Sequence, residues 1–379
     1  MLTCKIYYAY KNKEGEEVCG DTIKIKRDEK KVAITVSDGL GSGIKASILS
    51  TLTASMATTM LFNNIPIEDT LKSILATLPV CKVRGISYAN FVNLLFEREI
   101  DTLHIVEYEF PAVLFFRGNQ YIPIPKDKQN ILDKEIFYTN IQVEAGDIVF
   151  VMTDGVIQAG LGSKNYPLGF GLDNVKREIR NLLLHKIAPQ EIVQYLIDKT
   201  KKLDFGLKGD DALVCSLYFR PYKQVNVLVG PPSSPDLDEM VVNKFINLIG
   251  SKVICGGTTA QIVSKYLNKE IRIDLHTISD DSPPIGIMEG IDLITEGIIT
   301  LTQVFRFLDG QDSVLGYGAR ILLDLLLDAD CINFMVGKAI NPVYQNPLFC
   351  YDISIKVRIV EDIARILRNK GKLVSIEYF

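Results

Sequence analysis

The fold is decided by the stretch Val32-Ala33-Ile34-Thr35-Val36-Ser37-Asp38-Gly39-Leu40-Gly41-Ser42-Gly43-Ile44-Lys45-Ala46-Ser47. An apolar, β-branched run ends on the pair Asp38-Gly39, and a glycine-rich turn then leads into the small residues of a helix. We therefore expect a buried strand, a tight turn and a packed helix, with one carboxylate held at the strand end beside exposed backbone. Such a place suits a metal ion.

Size and composition indicate a globular protein of two domains. The chain has 379 residues, of which 47% are apolar and 23% charged, and this length exceeds that of one ordinary domain. The net charge of -4 supplies no basic field for nucleic acid or for an anionic membrane surface, so we predict neither partner.

Cysteine usage and the N-terminal residues favour a cytoplasmic protein. The seven cysteines are scattered without a C-x-x-C pair, as is typical of reduced thiols, and they support no thiol nucleophile. The first residues lack the apolar core and cleavage site of a signal peptide. Residues 46–62 carry no charge, but the run is short and rich in Ser and Thr, so we interpret it as a buried helix rather than a membrane span.

Residues 1–222 alternate groups of strands with pairs of helices. Runs at 2–10, 22–27 and 32–37 predict an antiparallel meander, and helices are expected at 46–63 and 66–78. Further strands are expected at 88–96, 102–110, 113–117, 120–124, 148–153 and 212–219, and further helices at 173–184 and 189–202. This order predicts an α+β domain in which sheets pack together with helices outside.

Residues 223–379 follow a different pattern. Strands and helices alternate with short connections from residue 225 to the last residues of the chain, including a helix at 353–369. Such alternation predicts an α/β domain with a mainly parallel sheet. We place the boundary near Tyr222.

Acidic residues stand at four strand ends of the first domain: Asp21, Asp38, Asp154 and the pair Asp210-Asp211. Each Asp-Gly turn taken singly is more often a simple turn than a ligand. Four such turns, however, can bring their carboxylates to one edge, and carboxylate oxygens are the ligands that Mg²⁺ and Mn²⁺ prefer. The set therefore predicts a site for divalent cations. The three histidines, His104, His185 and His276, are interpreted as structural or surface residues.

As a set, these motifs resemble the metal-dependent Ser/Thr protein phosphatases of type 2C, most closely their bacterial branch typified by the sporulation stage II E phosphatase. The resemblance covers residues 1–221. The motifs that carry it are Cys19-Gly20-Asp21, the run Ser37 to Gly43 with Ala46, Thr153-Asp154-Gly155 and Gly209-Asp210-Asp211-Ala212. The chain departs from the eukaryotic branch in having Gly20 before Asp21 and no evident phosphate-gripping arginine.

The resemblance implies a four-layer α-β-β-α sandwich of two antiparallel sheets that holds two Mn²⁺ or Mg²⁺ ions. Asp38 would be the catalytic residue that bridges both ions, and the carbonyl of Gly39 would bind one of them. Asp154 and Asp210 would complete the coordination of the other ion. Asp21 would bind its ion directly or through water, and Asp211 would be a neighbouring ligand. A water that bridges the metals would attack phosphorus without a covalent enzyme intermediate. By resemblance, the substrate is phosphoserine or phosphothreonine on a bacterial signalling protein of the anti-anti-sigma type.

The second domain contains one glycine- and threonine-rich turn before a helix, with the residues Gly256, Gly257, Thr258 and Thr259. Free backbone N–H groups there could bind a phosphate-bearing small molecule. No Walker lysine and no dinucleotide fingerprint is present, and we favour the interpretation that these residues only shape and cap the turn.

An alternative function therefore remains open. In it, the chain is a ligand-sensing scaffold whose α/β domain binds a phosphate-bearing small molecule while the phosphatase domain has little or no activity. In either case we expect the helices at 46–63 and 66–78 to be the switch that regulates the site, and they are a candidate homodimer surface.

Overall fold

The computed structural model describes residues 1–77, 89–132, 134–279, 282–311, 314–339 and 355–379. The chain divides into two compact units, Met1–Pro221 and Tyr222–Phe379, which we call the N-terminal and C-terminal units. Three predicted elements extend beyond the described residues: the helices at 66–78 and 353–369 and the strand at 88–96. Cys81 and Cys350 also lie outside the described residues. In the ranges described, every helix is too short or too polar to cross a membrane.

The N-terminal unit contains two antiparallel sheets. In chain order its elements are β1 (Leu2–Lys11), β2 (Thr22–Arg27), β3 (Lys31–Gly39), α1 (Gly43–Phe62), α2 (Ile67–Thr77), β4 (Ala89–Glu97), β5 (Thr102–Tyr108), β6 (Ala112–Arg117), β7 (Gln120–Ile122), β8 (Asp127–Ile131), β9 (Lys134–Gln142), β10 (Asp147–Met152), α3 (Asp154–Ile157), α4 (Leu172–Leu184), α5 (Pro189–Leu203) and β11 (Ala212–Pro221). The five-stranded sheet has the order β1-β11-β10-β6-β7, and the six-stranded sheet has the order β2-β3-β4-β5-β9-β8.

Three apolar cores separate four layers. The central core lies between the two sheets, a second lies between the five-stranded sheet and α4 and α5, and a third lies under α1 and α2. Strand β3 shows how the sequence produces this: Ile34 and Val36 join the central core, whereas Thr35 faces the helix layer and accepts a hydrogen bond from Thr58 of α1 at 2.7 Å. The predicted α-β-β-α sandwich is confirmed.

The predicted meander of the first three strands is wrong. Strand β1 pairs with β11 in the five-stranded sheet, whereas β2 pairs with β3 in the six-stranded sheet. The connection at residues 12–21 is long enough to cross the roughly 10 Å that separates packed sheets. Because this connection passes from one sheet to the other, it places Asp21 at the end of the sandwich where strands of both sheets meet.

The C-terminal unit is one seven-stranded sheet with helices on both faces. Its elements are β12 (Gln224–Val229), α6 (Asp238–Asn247), β13 (Ser251–Cys255), α7 (Gly257–Leu267), β14 (Arg272–Asp274), β15 (Ile285–Met288), β16 (Ile291–Thr295), α8 (Ile298–Leu308), α9 (Tyr317–Asp328), β17 (Cys331–Val336), α10 (Ile355–Asn369) and β18 (Leu373–Tyr378). The sheet order is β14-β15-β16-β13-β12-β17-β18, and the five strands from β16 to β18 in that order are parallel.

Helices α8, α9 and α10 cover one face of this sheet, and α6 and α7 cover the other. The predicted α/β class with a mainly parallel sheet is confirmed. Sequence reasoning missed the antiparallel strands β14 and β15, because each is short and exposes apolar side chains such as Ile273 and Ile287 to solvent instead of alternating cleanly.

Candidate active site

Five aspartates from four parts of the N-terminal unit line one cavity of about 170 Å³. The sheets explain why they meet: β3 ends at this side, and the antiparallel pairing of Met152 with Val214 places the end of β10 beside the start of β11. The residues that line the cavity are Asp21, Asp38, Gly39, Leu40, Gly41, Asn90, Glu109, Asp154, Asp210 and Asp211. All six predicted metal-site residues are therefore brought together, and their role as ligands stays a prediction.

Asp21, at the end of the connection 12–21, is a buried residue of the cavity. Its carboxylate is 7% exposed and accepts a hydrogen bond of 2.7 Å from the hydroxyl of Thr153. Burial and then the charge of Asp38 raise the pKa of Asp21 well above its ordinary value. Thr153, which directly precedes Asp154, thus ties the two acidic segments together.

Lys13 holds the pair Asp210-Asp211 from the same connection. Its backbone amide donates to Asp211 Oδ1 at 2.9 Å, and its ammonium group donates to Asp210 Oδ1 at 3.0 Å. The carboxylate of Asp210, and with it the charge of Asp211, raises the pKa of Lys13, so this lysine is charged at neutral pH. It is the cation that partly balances the acids.

Asp38, at the end of β3, and Asp154, shortly after β10, line the same cavity. Burial, and then the charges of the neighbouring aspartates, raise the pKa of Asp38 to about 7 and also raise the pKa of Asp154. The cluster thus resists full ionisation when it holds no divalent cation.

Two glycines of the predicted motifs are required by close packing. A Cβ at Gly39 would collide with the carbonyl oxygen of Ala46 in α1, and a Cβ at Gly155 would collide with the carbonyl oxygen of Asp211. The absence of a side chain at Gly39 lets α1 pack close to the aspartates. The absence of a side chain at Gly155 lets the segment after β10 pack against the start of β11.

We tested whether these residues suit the divalent cations that the resemblance implies. Within the ranges described, no three side chains of the types His, Cys, Asp and Glu are arranged to hold one ion. The donor set nevertheless fits hard cations: it consists of carboxylates, and Asp211 Oδ2 is buried without a hydrogen-bond partner in the described structure. Bound cations would balance the negative charge of the buried carboxylates.

Sequence reasoning missed two residues that line the cavity, Asn90 and Glu109. Asn90 lies beside Asp38 in the register of β3 and β4, and Glu109 follows β5 with a left-handed φ of 48°. Neither belongs to a motif. The cross-strand partner of Asp38 could have been found only from a correct pairing of β3 with β4.

The other candidate groups lie apart from this cavity or are unreactive. His104 bonds to Asn140 and His185 bonds to the carbonyl of Asn181, each at 2.8 Å. Cys19 is close to the acids, but burial and the charge of Asp21 raise the pKa of its thiol far above neutrality, which gives no support to a thiolate nucleophile. Gly256 to Thr259 lie in the C-terminal unit, at the N-terminus of α7.

Comparison with known proteins follows the same division of the chain. The family model for stage II sporulation protein E (SpoIIE) matches residues 28–220. Stage II sporulation protein E of Priestia megaterium is 25% identical over 210 residues, which are 54% of this chain and 34% of that protein. The protein of the same name from Bacillus subtilis (strain 168) is 24% identical over 212 residues, which are 54% of this chain and 24% of that protein.

A solved structure of the PP2C phosphatase domain of SpoIIE from Bacillus subtilis, with a fragment of its regulatory domain, is also similar. It has a TM-score of 0.49 and 21% identity, and the match covers 58% of this chain and 64% of that one. Of the two sporulation proteins compared by sequence, the matched part of this chain spans about a third of the length or less.

The α-β-β-α sandwich with a cavity of aspartates where its two sheets meet has the architecture of the type 2C class, which the sequence resembles. The protein belongs to the stage II sporulation protein E family. The resemblance stated from the motifs is confirmed.

Proposed function

We propose that the N-terminal unit is a metal-dependent protein serine/threonine phosphatase. The observation that carries the proposal is the convergence of five aspartates on one cavity, where burial and the charges of the neighbouring aspartates raise the pKa of Asp38 to about 7. Bound Mn²⁺ or Mg²⁺ ions, two by resemblance, would lower the pKa of a water and balance the charge that develops on the phosphoryl oxygens.

The residues of the chain have separate tasks in this proposal. Asp38 and Gly39 lie at the centre of the ligand set, Asp154 and Asp210 complete it, and Asp21 is held in place by Thr153. Asp211 is fixed by the backbone of Lys13. No side chain is assigned as a covalent nucleophile, so the bound cations would activate a water as the nucleophile, and Asp38 would be the central ligand that holds them.

We propose a phosphorylated signalling protein of the anti-anti-sigma type as the substrate, and a cytoplasmic location. Family membership supports the substrate class, and the scattered cysteines without a C-x-x-C pair support the location. Helix α1 contacts the site through Gly39 and exposes Ile44, Ile48 and Leu52 along one face. We therefore propose α1 with α2 as the regulatory switch and as the surface that a second copy of the chain would cover.

Phosphate release from synthetic peptides tests the substrate class. With Mn²⁺ present, we expect hydrolysis of phosphoserine and phosphothreonine peptides, much slower hydrolysis of the matched phosphotyrosine peptide, and loss of activity with EDTA that excess Mn²⁺ or Mg²⁺ restores. Equal rates in EDTA would overturn the metal dependence, and a preference for phosphotyrosine would overturn the substrate class.

The second candidate function is a ligand-sensing scaffold. It is favoured by the position of Gly256 to Thr259 at the end of a parallel strand and the start of a helix. Calorimetry would distinguish the two functions: tight binding of a phosphate-bearing small molecule without turnover of any phosphopeptide supports the scaffold.

A further inference from the structure

The carboxyl edge of the parallel strands in the C-terminal unit is built from glycine turns in mutual contact. The turns are Gly230 after β12, Gly256 after β13, Gly297 after β16 and Gly337 after β17. The amide of Gly230 donates to the carbonyl of Cys255 at 3.2 Å, and the amide of Gly337 donates to the carbonyl of Val229 at 2.9 Å. The turns of neighbouring strands therefore form one continuous backbone surface.

This edge contains the point where the strand order reverses. From β12 the chain proceeds through β13 to β16 on one side, and it then returns to β17 on the other side of β12. In open α/β sheets, ligands bind outside the carboxyl ends of the strands at such a reversal. The turn after β12 continues into Pro231 and Pro232, which have no N–H to donate, so an anion here must be bound by other groups.

The N-terminus of α7 supplies free donors beside this point. It starts after Gly256, whose φ is 134°, and no side chain caps it. Helix α8 differs, because the carboxylate of Glu296 accepts a hydrogen bond of 2.9 Å from the amide of Ile299 and so occupies that helix start with a negative charge. The first-turn amides of α7 thus point towards the edge without an acceptor within the helix.

Thr259, in the first turn of α7, is an independent sign of a ligand. The residue is 1% exposed, and its hydroxyl has no hydrogen-bond partner in the described structure. The hydroxyl points back at the strand end, since a Cβ placed on Gly256 would lie 3.1 Å from it. A buried hydroxyl that donates to nothing lowers stability, and an anion bound at this turn would provide the missing acceptor.

Lys356, in the first turn of α10, brings a positive charge to the same edge. Its ammonium group donates to the carbonyl of Ala339 at 2.9 Å, and a Cβ placed on Gly230 would lie 2.6 Å from it. Burial lowers the pKa of Lys356, and none of the carboxylates in the described residues contributes to that shift. Gly230 in turn lies next to Gly256, so the lysine and the start of α7 border the same glycine.

We propose that this edge binds the phosphate group of a small molecule. The donors are the first-turn amides of α7 at Gly257 and Thr258, the hydroxyl of Thr259 and the ammonium group of Lys356. Four chemical features agree within the described residues: unoccupied amides, a hydroxyl without an acceptor, a cation without an anion and glycines that leave room for close approach. The site lies outside the aspartate cavity and does not depend on the phosphatase activity.

Titration calorimetry of the full chain in EDTA tests the proposal. Without divalent cations the aspartate cavity is negative and repels phosphate, so binding there does not interfere. The probes are inorganic phosphate, AMP with adenosine as its phosphate-free match, and glucose 6-phosphate with glucose. We expect at least one phosphate-bearing probe to bind with one site and a Kd of about 1 mM or tighter, and its phosphate-free match to show no binding. The probe that binds most tightly shows whether the site takes free phosphate, a nucleotide or a sugar phosphate.

Two variants and two controls locate the site. Thr259→Val and Lys356→Met should each weaken binding about tenfold or more, whereas Thr302→Val in α8 and Lys252→Met at the amino end of β13 should leave it unchanged. Thr259→Val should melt at the same temperature as the unchanged chain or higher, because it removes an unpaired hydroxyl. The proposal is overturned if no phosphate-bearing probe binds at about 10 mM, or if both variants bind like the unchanged chain.

Discussion

At the scale of single residues, the burial of Asp38 beside the other aspartates has a consequence for stability. The pKa of Asp38 rises from an ordinary value of 3.8 to about 7 in the folded chain without metal. An acid whose pKa is raised on folding binds its proton more tightly in the folded state. Its contribution to stability is present in full below the unfolded pKa and is lost as the pH rises through the folded pKa.

We therefore predict that the metal-free chain becomes less stable between about pH 5 and pH 8. The measurement is the urea midpoint of the N-terminal unit in EDTA across this range. Asp38→Asn should flatten the pH dependence, since the amide has no proton to lose, and saturating Mn²⁺ should restore stability at high pH in the unchanged chain. A midpoint that rises with pH in EDTA contradicts the prediction.

Prediction from the sequence succeeds at this scale where a motif carries the residue. Asp38, Gly39 and Asp154 follow buried strands in a recognisable pattern, and the structure places them in one cavity. Asn90 and Glu109 lie in the same cavity without a pattern of their own, because strand pairing and a left-handed turn position them. Long-range pairing of this kind is not contained in any local stretch.

At the scale of elements, the segment that carries Asp210 and Asp211 is supported by a buried ion pair. Lys11, at the end of β1, lies 2.5 Å from Asp204 after α5, and both side chains are less than a tenth exposed. The other carboxylate oxygen of Asp204 accepts from the amide of Gly160 at 2.8 Å. Gly209 packs directly against this carboxylate, so the ion pair fixes the chain segment that leads to Asp210 and Asp211.

Removing one partner of this pair should be costly. We predict that Lys11→Met destabilises the N-terminal unit by about 3–5 kcal/mol, because it leaves the buried charge of Asp204 unpaired. It should also weaken Mn²⁺ binding through the displaced Gly209. The control, Lys199→Met, breaks a more exposed pair with Glu178 and should cost about 1 kcal/mol or less.

The double variant Lys11→Met with Asp204→Leu distinguishes charge from packing. It should recover part of the stability, since no charge remains buried alone. Chemical unfolding of the unchanged chain, Lys11→Met, Asp204→Leu and the double variant gives the coupling energy. If Lys11→Met is as stable as the unchanged chain, the ion pair does not support this segment.

The connection 12–21 shows why the pairing of strands is harder to predict than the presence of the strands themselves. The strand character of residues 2–10 and 22–27 is evident from alternation, yet their pairing depends on whether the chain turns back or crosses to another sheet. Local periodicity is the same in both cases. In this protein the crossing also brings Asp21 to the cavity and Lys13 to the carboxylate of Asp210.

At the scale of the whole molecule, each unit has its own cores and its own proposed ligand. The N-terminal unit is built around the sheet-to-sheet core, and the C-terminal unit has one core on each face of its sheet. We predict two calorimetric unfolding transitions, of which Mn²⁺ raises the one that belongs to Met1–Pro221 and the tightest phosphate-bearing probe raises the other. Hydrogen exchange would assign each transition. A single transition shifted by both ligands contradicts independent units.

The central claim is that the aspartate cavity performs metal-dependent phosphate hydrolysis. The most direct measurement is the rate of phosphate release from a phosphoserine peptide with saturating Mn²⁺, compared between the unchanged chain, Asp38→Asn and the control Asp173→Asn on the exposed first turn of α4. We predict that Asp38→Asn lowers the rate about a thousandfold or more while Asp173→Asn leaves it unchanged. Full activity of Asp38→Asn would contradict the assignment of this cavity as the active site.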